Sequence, residues 1–171
     1  MAKQQHKFEA LVHAYSADLY RYAFWLCKDK AAAEDIVQET FLRAWKALDN
    51  LNDAKAAKAW LITIMRREMA RFFTRNTVSG SPLEEVEHSD VVVGLDSEEA
   101  TMLQQALAKL PEEYLEPLLL QVLGGYSCPE IAEILSIKPG AVMTRTFRAR
   151  QKLRHMLGDG LTELRIVGNK L

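Results

Sequence analysis

The sequence predicts an all-α protein of two small helical domains joined by a flexible acidic linker, with a helix-turn-helix in the second domain. Apolar residues recur three and four positions apart along residues 8–74 and again along 97–153, which is the spacing of an amphipathic helix. Residues 76–95 interrupt this pattern with Ser-Gly-Ser-Pro and a block of acids. A chain of 171 residues suffices for one ordinary domain or two small ones, and the interruption favours two.

Composition limits the class of protein. With 49% apolar and 26% charged residues, the chain can bury a core. It has no apolar run near the roughly 18 residues that cross a membrane, and residues 1–6 lack the apolar centre of a signal peptide. We therefore expect a cytoplasmic protein with no membrane insertion of its own. Cys27 and Cys128 lack a Cys-x-x-Cys spacing and are expected to be buried thiols without chemistry.

Three helices with short connections are predicted in the first domain, over residues 8–26, 31–48 and 54–74. In the third helix, Trp60, Ile64 and Phe72 are expected to point inward, with the arginines largely outward. The expected apolar stripes of the first two helices are Phe8, Leu11, Tyr15, Leu19, Tyr22 and Leu26, and Val37, Phe41, Ala44 and Leu48, the second widened by Ile36 and Trp45.

Start and stop signals divide the second domain into helices. Asp96 or Ser97 can cap a fourth helix that ends near Leu110, and Pro111 suits the first turn of a fifth helix that ends at Gly124-Gly125. Ser127 and Glu130 have the spacing of a capping box, with Pro129 between them, before a short apolar helix.

A longer helix then opens at Pro139-Gly140, after the turn at residues 136–138. Its expected packed side consists of Val142, Thr146, Ala149 and Leu153. A short helix, a tight turn and a long basic helix predict a helix-turn-helix.

Charge is unevenly distributed, although the net charge is only −1. Residues 55–75 contain six basic residues against the single acid Glu68, and residues 138–154 contain six basic residues and no acid. An acidic block separates the two basic regions. This distribution favours a polyanion binder with two contact regions, and the alternative is chance clustering on solvated faces.

Two helix faces can bind a partner. The ridge formed by Asp35, Gln38, Glu39 and Leu42 is either a solvated face or a polar docking surface. The outward side of the long helix can enter a DNA major groove, or it can be the soluble side of a helical hairpin. That outward side carries Met143, Thr144, Phe147, Arg148 and Gln151, with Arg145 and Lys152 nearby.

The string Asp-Ile-Val-Gln-Glu-Thr-Phe-Leu-Arg-Ala-Trp at residues 35–45 resembles the polymerase-docking segment of bacterial sigma factors, specifically the extracytoplasmic-function group. Residues 59–75 resemble the strand-opening helix of that family. The segments at residues 106–114, 118–127, 130–135 and 148–154 resemble its domain that reads the upstream promoter element. Two motif sets thus occur in the family's order on separate modules.

The resemblance implies three sets of binding residues, and it implies promoter DNA and the clamp helices of the largest subunit of core RNA polymerase as partners. Polymerase binding is implied for Asp35, Gln38, Glu39, Leu42 and Arg43. Minus-ten DNA binding is implied for Asn50, Asn52, Lys58, Trp60, Arg66, Arg67, Arg71 and Arg75, although Trp60 also suits the core. Minus-thirty-five DNA binding is implied for Lys138, Met143, Thr144, Arg145, Phe147 and Arg148.

The resemblance also implies a division of the chain. Residues 1–75 correspond to sigma region 2 and residues 96–157 to sigma region 4. The linker at residues 76–95 is expected either to thread the RNA path of the polymerase or to act as a solubilising tether. The tail at residues 158–171 has no assigned role, and the family implies an anti-sigma partner.

Four positions depart from the family pattern. The family often has Asn at the position of Arg67, Asp at that of Arg71, a basic residue at that of Met143 and a small capping residue at that of Lys138. A relative's promoter sequence therefore cannot be transferred to this chain.

Two other classes of protein are alternatives to the sigma factor. A free-standing helix-turn-helix regulator would bind DNA without polymerase, but it leaves the first 75 residues unexplained. An enzyme is not expected, because the four histidines are dispersed and no nucleophile, base and orienting group share a motif. Asp35 and Glu39 lack a second ligand pair, so neither a metal nor a cofactor is expected.

Overall fold

The computed structural model describes residues 2–79 and 98–158. All regular secondary structure within these residues is helical, which confirms the predicted fold class. The chain divides into two compact units, Met1–Val86 and Glu87–Leu171. None of the described helices combines the length and apolarity needed to cross a bilayer. The α-helices are α1 (Ala2–Cys27), α2 (Lys30–Lys46), α3 (Ala57–Ser79), α4 (Glu98–Ala108), α5 (Glu112–Val122), α6 (Cys128–Leu135) and α7 (Pro139–Leu157).

In the first unit, α1 packs on α2 and on α3, and α2 packs on α3. Helix α1 begins at Ala2, six residues before the predicted start at Phe8. Its early turns contribute packing, because the Phe8 ring meets the Trp45 ring edge-on, with centroids 5.0 Å apart. Asp29 caps α2 by accepting a hydrogen bond from the backbone N–H of Ala32 at 2.8 Å.

The buried side of α3 differs from the predicted one. Leu61 and Met65 are fully buried, whereas Trp60 and Ile64, predicted to point inward, are only half-buried. Apolar residues occupy adjacent positions of this helix, so periodicity alone does not select the inward side. Contact with both α1 and α2 selects it. In α2, Trp45 is 40% exposed and stands at the edge of the core that it was predicted to widen.

Helix α3 also continues to Ser79, past the predicted start of the linker at Asn76. Residues 76–79 contain no helix breaker, and the first one is Gly80. The remainder of the linker, the cap candidates Asp96 and Ser97, and the tail at residues 159–171 lie outside the described residues.

In the second unit, α7 packs on α4, α5 and α6. Ser136 adopts a left-handed conformation between α6 and α7, with φ of 55°, and so lets the chain turn tightly. Pro111 is the N-cap of α5, one position before its predicted place, and α5 ends at Val122, before the predicted Gly124. The predicted packed side of α7 is confirmed, because Val142, Thr146, Ala149 and Leu153 are all buried.

The two cysteines differ in burial. Cys27 is buried, as predicted, whereas Cys128 is only half-buried. Cys128 occupies the first position of α6, where a side chain remains close to solvent.

Candidate polymerase and nucleic-acid interfaces

The residues implied to bind polymerase lie together on one side of α2. Asp35, Gln38, Leu42 and Arg43 are exposed, and Glu39 is partly exposed. Leu42 leaves 57% of its surface accessible in these polar surroundings. All five residues line a groove of about 440 Å³, whose other wall is formed by Glu68, Phe72, Arg75 and Asn76 of α3.

Glu68 is a buried carboxylate at this groove. It is only 2% exposed, and its Oε1 atom lies 2.6 Å from Nε of Arg43 and 2.7 Å from Nη1 of Arg71. The Nε atom of Arg43 also lies 3.2 Å from Oε1 of Glu39. Two guanidinium groups thus offset the cost of burying one negative charge. Sequence reasoning missed Glu68 as a site residue; the spacing from Glu68 to Arg71 was visible in the sequence, but the contact with Arg43 was not.

Side-chain hydrogen bonds to the backbone stabilise the loop after α2. Nζ of Lys7 donates a hydrogen bond to the backbone carbonyl of Leu51 at 2.8 Å. Asp53 caps the 3₁₀ turn Ala54–Ala56 by accepting from the backbone N–H of Lys55 at 2.9 Å. Asn50 and Asn52 are exposed on this braced loop, so their amide groups are accessible to a ligand.

The implied minus-ten residues of α3 fall into two groups. Arg67, Arg71 and Arg75 are exposed, and Arg66 is half-buried. Lys58 forms an ion pair with Asp18 at 2.9 Å, which compensates much of its charge within the protein. Trp60 is half-buried against an apolar cluster of Leu11, Leu48, Leu51 and Ala57, and this supports its alternative role in packing.

The outward side of α7 carries the implied minus-thirty-five residues. Met143 is 61% exposed and Phe147 is 63% exposed, one helical turn apart. Lys138 and Arg148 are also exposed, and Arg145 is half-buried. Thr144 is exposed, but its hydroxyl donates to the carbonyl of Gly140 at 3.0 Å.

Two other basic residues of α7 make contacts within the unit. Arg150 donates to the side-chain oxygen of Gln121 at 2.5 Å, and Nζ of Lys152 lies 5.9 Å from the centre of the Tyr114 ring. The basic region at residues 138–154 is therefore partly structural, and its exposed charge is concentrated at the outward side.

Within residues 2–79 and 98–158, no three His, Cys, Asp or Glu side chains lie close enough together to hold a metal ion.

Two family models match the chain in the order of its two units. The first, Sigma-70 region 2, covers residues 11–78, and the second, Sigma-70, region 4, covers residues 100–153.

Similar proteins and solved structures extend over most of the chain. It is 38% identical to the ECF RNA polymerase sigma factor SigL of Mycobacterium tuberculosis over 162 residues, covering 88% of each chain. It is 30% identical to the ECF RNA polymerase sigma factor SigW of Bacillus subtilis over 172 residues, covering 91% of each. A solved structure of the sigma factor RpoE with the anti-sigma factor NepR from Bartonella quintana has a TM-score of 0.73 at 27% identity, over 92% of this chain and 98% of that one.

Both sigma-70 regions are present in order, and relatives of this identity are matched over nearly their whole length. The free-standing regulator is not favoured, because the first unit is accounted for as region 2. The chain belongs to the ECF family of RNA polymerase sigma factors and is an alternative sigma factor.

Proposed function

We propose that this sigma factor binds the clamp helices of the largest subunit of core RNA polymerase, recognises the minus-thirty-five and minus-ten elements, and promotes strand opening. Residues 1–75 carry polymerase binding and the minus-ten contacts, and residues 96–157 carry the minus-thirty-five contacts. The protein supplies binding and positioning, with no catalytic step of its own. It works in the cytoplasm, beside the polymerase and the chromosome.

The proposed polymerase contact rests on one observation. Asp35, Gln38, Glu39, Leu42 and Arg43 share one side of α2 and line one groove. Carboxylate and amide groups on a rigid helix suit a basic partner, because complementary charge steers association and suppresses wrong partners. The exposed Leu42 adds an apolar contact within that polar surface.

The minus-ten contact rests on the braced loop and on α3. The exposed amides of Asn50 and Asn52 can hydrogen-bond to the edge of an unstacked base, and Arg67, Arg71 and Arg75 can contact phosphates. Lys58 and Trp60 belong to the same minus-ten surface, and because both are partly buried they contribute to it mainly by packing. Arg66 is assigned to the same surface.

The minus-thirty-five contact rests on α7. Thr144, Phe147 and Arg148 lie near the start and middle of a helix whose opposite side is packed. Such a helix can reach base edges in the major groove, while Lys138 and Arg145 contact the flanking phosphates. Met143 contributes an apolar contact in the same groove.

The proposal is tested by gel shift and transcription in vitro on a promoter library, with and without core polymerase. We expect specific promoter binding and transcripts only when core polymerase is present. Reversing the charge of Asp35 and Glu39 to Lys should abolish the complex with core polymerase. The matched control reverses Glu9 and Glu113, two exposed acids on other helices, and should retain the complex. A specific shift of DNA by the protein alone would favour the free-standing regulator instead.

An anti-sigma protein is a further proposed partner. The solved structure of RpoE contains the anti-sigma factor NepR, and that of CnrH contains the cytosolic domain of CnrY. CnrH matches this chain with a TM-score of 0.65 at 28% identity, over 90% of this chain and 88% of that one. We expect the anti-sigma protein to cover the same surfaces that bind polymerase and DNA. Recovery of one complex containing this chain, the anti-sigma protein and core polymerase together would contradict that expectation.

A further inference from the structure

Glu68 lies where two proposed binding surfaces meet. Its neighbours on the inner side of α3, Met65 and Met69, are buried apolar residues. An apolar side chain at position 68 would satisfy the packing, and a buried ion pair contributes little net stability compared with such a replacement. Moreover, the Oε2 atom of Glu68 is buried without a hydrogen-bond partner, which is itself unfavourable. The fold alone therefore does not account for a carboxylate here.

The contacts of Arg43 suggest what the carboxylate does. Both of its ion pairs, with Glu68 at 2.6 Å and with Glu39 at 3.2 Å, use the Nε atom. The side chain is nevertheless 44% exposed. Arg43 is thus held at its Nε atom while much of the side chain remains accessible to a partner. A guanidinium held in this way can offer paired donors to a partner with little further loss of rotamer freedom.

Arg71 approaches the same atom from the other surface. Its Nη1 atom lies 2.7 Å from Oε1 of Glu68, and its side chain is exposed on α3. One carboxylate oxygen therefore holds an arginine of the proposed polymerase surface and an arginine of the proposed minus-ten surface.

We propose that Glu68 is a positioning residue that pre-organises Arg43 for polymerase binding and Arg71 for DNA binding, and so couples the two surfaces. This rests on the proposed function of those surfaces. Because both guanidinium groups share Oε1, a change in the position of one of them alters how firmly the carboxylate holds the other.

The first experiment compares Glu68→Leu and Glu68→Gln with the full wild-type chain. We expect Glu68→Leu to fold with an unchanged or raised melting temperature, because Met65 and Met69, beside it on the inner side of α3, are buried apolar residues. The affinity for core polymerase should nevertheless fall by roughly three- to tenfold, the cost of ordering one freely rotating side chain on binding. Glu9→Gln, at an exposed position of α1, is the matched control and should change neither quantity. Unchanged affinity for core polymerase in a folded Glu68→Leu variant would overturn the proposal.

A double-mutant cycle then tests whether Glu68 acts through Arg43. The loss caused by Glu68→Gln should shrink to within about twofold when position 43 is already Ala, because the group that it positions is absent. In the same way, the loss that Glu68→Gln causes in binding of the polymerase–sigma complex to promoter DNA should shrink when position 71 is already Ala. Equal losses in the presence and absence of Arg43 would show that Glu68 acts by another route.

A spectroscopic measurement on the unbound protein keeps the proposal testable if the Glu68 variants do not fold. Exchange of the Arg43 Nε–H proton with solvent, followed by NMR on the wild-type protein, should be slow, and slower than that of Arg67, an exposed arginine of α3. Fast exchange in wild type would overturn the positioning role. If wild type does not bind core polymerase but this exchange is slow, the proposed function fails while the Glu68–Arg43 linkage stands.

Discussion

Lys7 donates a hydrogen bond from Nζ to the backbone carbonyl of Leu51, 2.8 Å away and 44 residues later in the chain. The contact ties an early turn of α1 to the loop that carries Asn50 and Asn52. Gln4 lies close to the same loop, with its Nε2 atom 3.4 Å from Oδ1 of Asp49. Gln4 and Lys7 precede the segment matched by the region 2 model, yet they brace the loop of the proposed minus-ten surface.

Replacing Lys7 by Met should weaken promoter opening. Methionine keeps the length of the stem but removes the donor, so the loop carbonyl loses its partner. Because Lys7 is exposed, the free energy of unfolding should fall by less than about 1 kcal/mol. Permanganate reactivity of the opened strand with core polymerase should fall severalfold. Lys3→Met, on the same exposed helix end, serves as the control, and equal effects of the two variants would contradict the bracing role.

Truncating Leu61 and Ile64 separately tests which side of α3 is buried. Leu61→Ala should reduce the free energy of unfolding by about 2–5 kcal/mol, because Leu61 is fully buried. Ile64→Ala should cost less than half as much, because Ile64 is only half-buried. Urea denaturation of both variants measures the difference. A larger loss for Ile64→Ala would favour the inward side predicted from the sequence.

Met143→Arg should increase the electrostatic component of promoter binding. Met143 is 61% exposed, so the substitution leaves the packed side of α7 intact. An arginine here can reach a phosphate or a guanine, and one added phosphate contact steepens the dependence of log affinity on log salt by about 1. Binding of the polymerase–sigma complex measured across a salt series checks this. Val122→Arg adds the same charge on α5, and an equal change in slope for this control would mean that position 143 faces no DNA.

The helix-turn-helix was predictable because its signals are local. Ser127, Pro129 and Glu130 mark a helix start within four residues, and four packed positions of α7 repeat at helical spacing. Each of these features depends on the chain near it. The exposure of Met143 and Phe147 followed from the same spacing, because the packed positions determine which side of the helix remains outward.

The role of Glu68 was not predictable in the same way. An acid between Arg67 and Arg71 has the pattern of a solvated salt-bridged face, and its burial depends on Arg43 reaching it from another helix. The inward side of α3 was missed for a related reason. Trp60, Leu61, Ile64 and Met65 offer two neighbouring apolar stripes, and only packing on α1 and α2 selects between them.

The capping box of α6 should make a pH-dependent contribution to stability. Oε2 of Glu130 accepts the backbone N–H of Ser127 at 2.7 Å and lies 2.7 Å from its hydroxyl. The backbone hydrogen bond, and then the hydroxyl, hold the pKa of Glu130 below its usual value of 4.5. A carboxyl whose pKa is lowered by folding stabilises the protein fully above its unfolded pKa. That contribution disappears as the pH falls through the lower pKa of the folded state.

Glu130→Gln isolates this effect, because glutamine can still accept the hydrogen bond of the box but cannot carry the charge. Wild type should therefore be slightly more stable than Glu130→Gln above about pH 5, since only the ionised carboxylate gains from the two donors. The difference should vanish as the pH falls below the usual pKa of 4.5 and through the lowered pKa of the folded state. Because Glu130 is exposed, the difference stays small. Urea denaturation of both proteins between pH 3 and 7 measures it, with Glu133→Gln on the same helix as control. A stability difference between the two proteins that stays unchanged below the pKa of Glu130 would mean that packing, and not charge, is the source of the stabilisation.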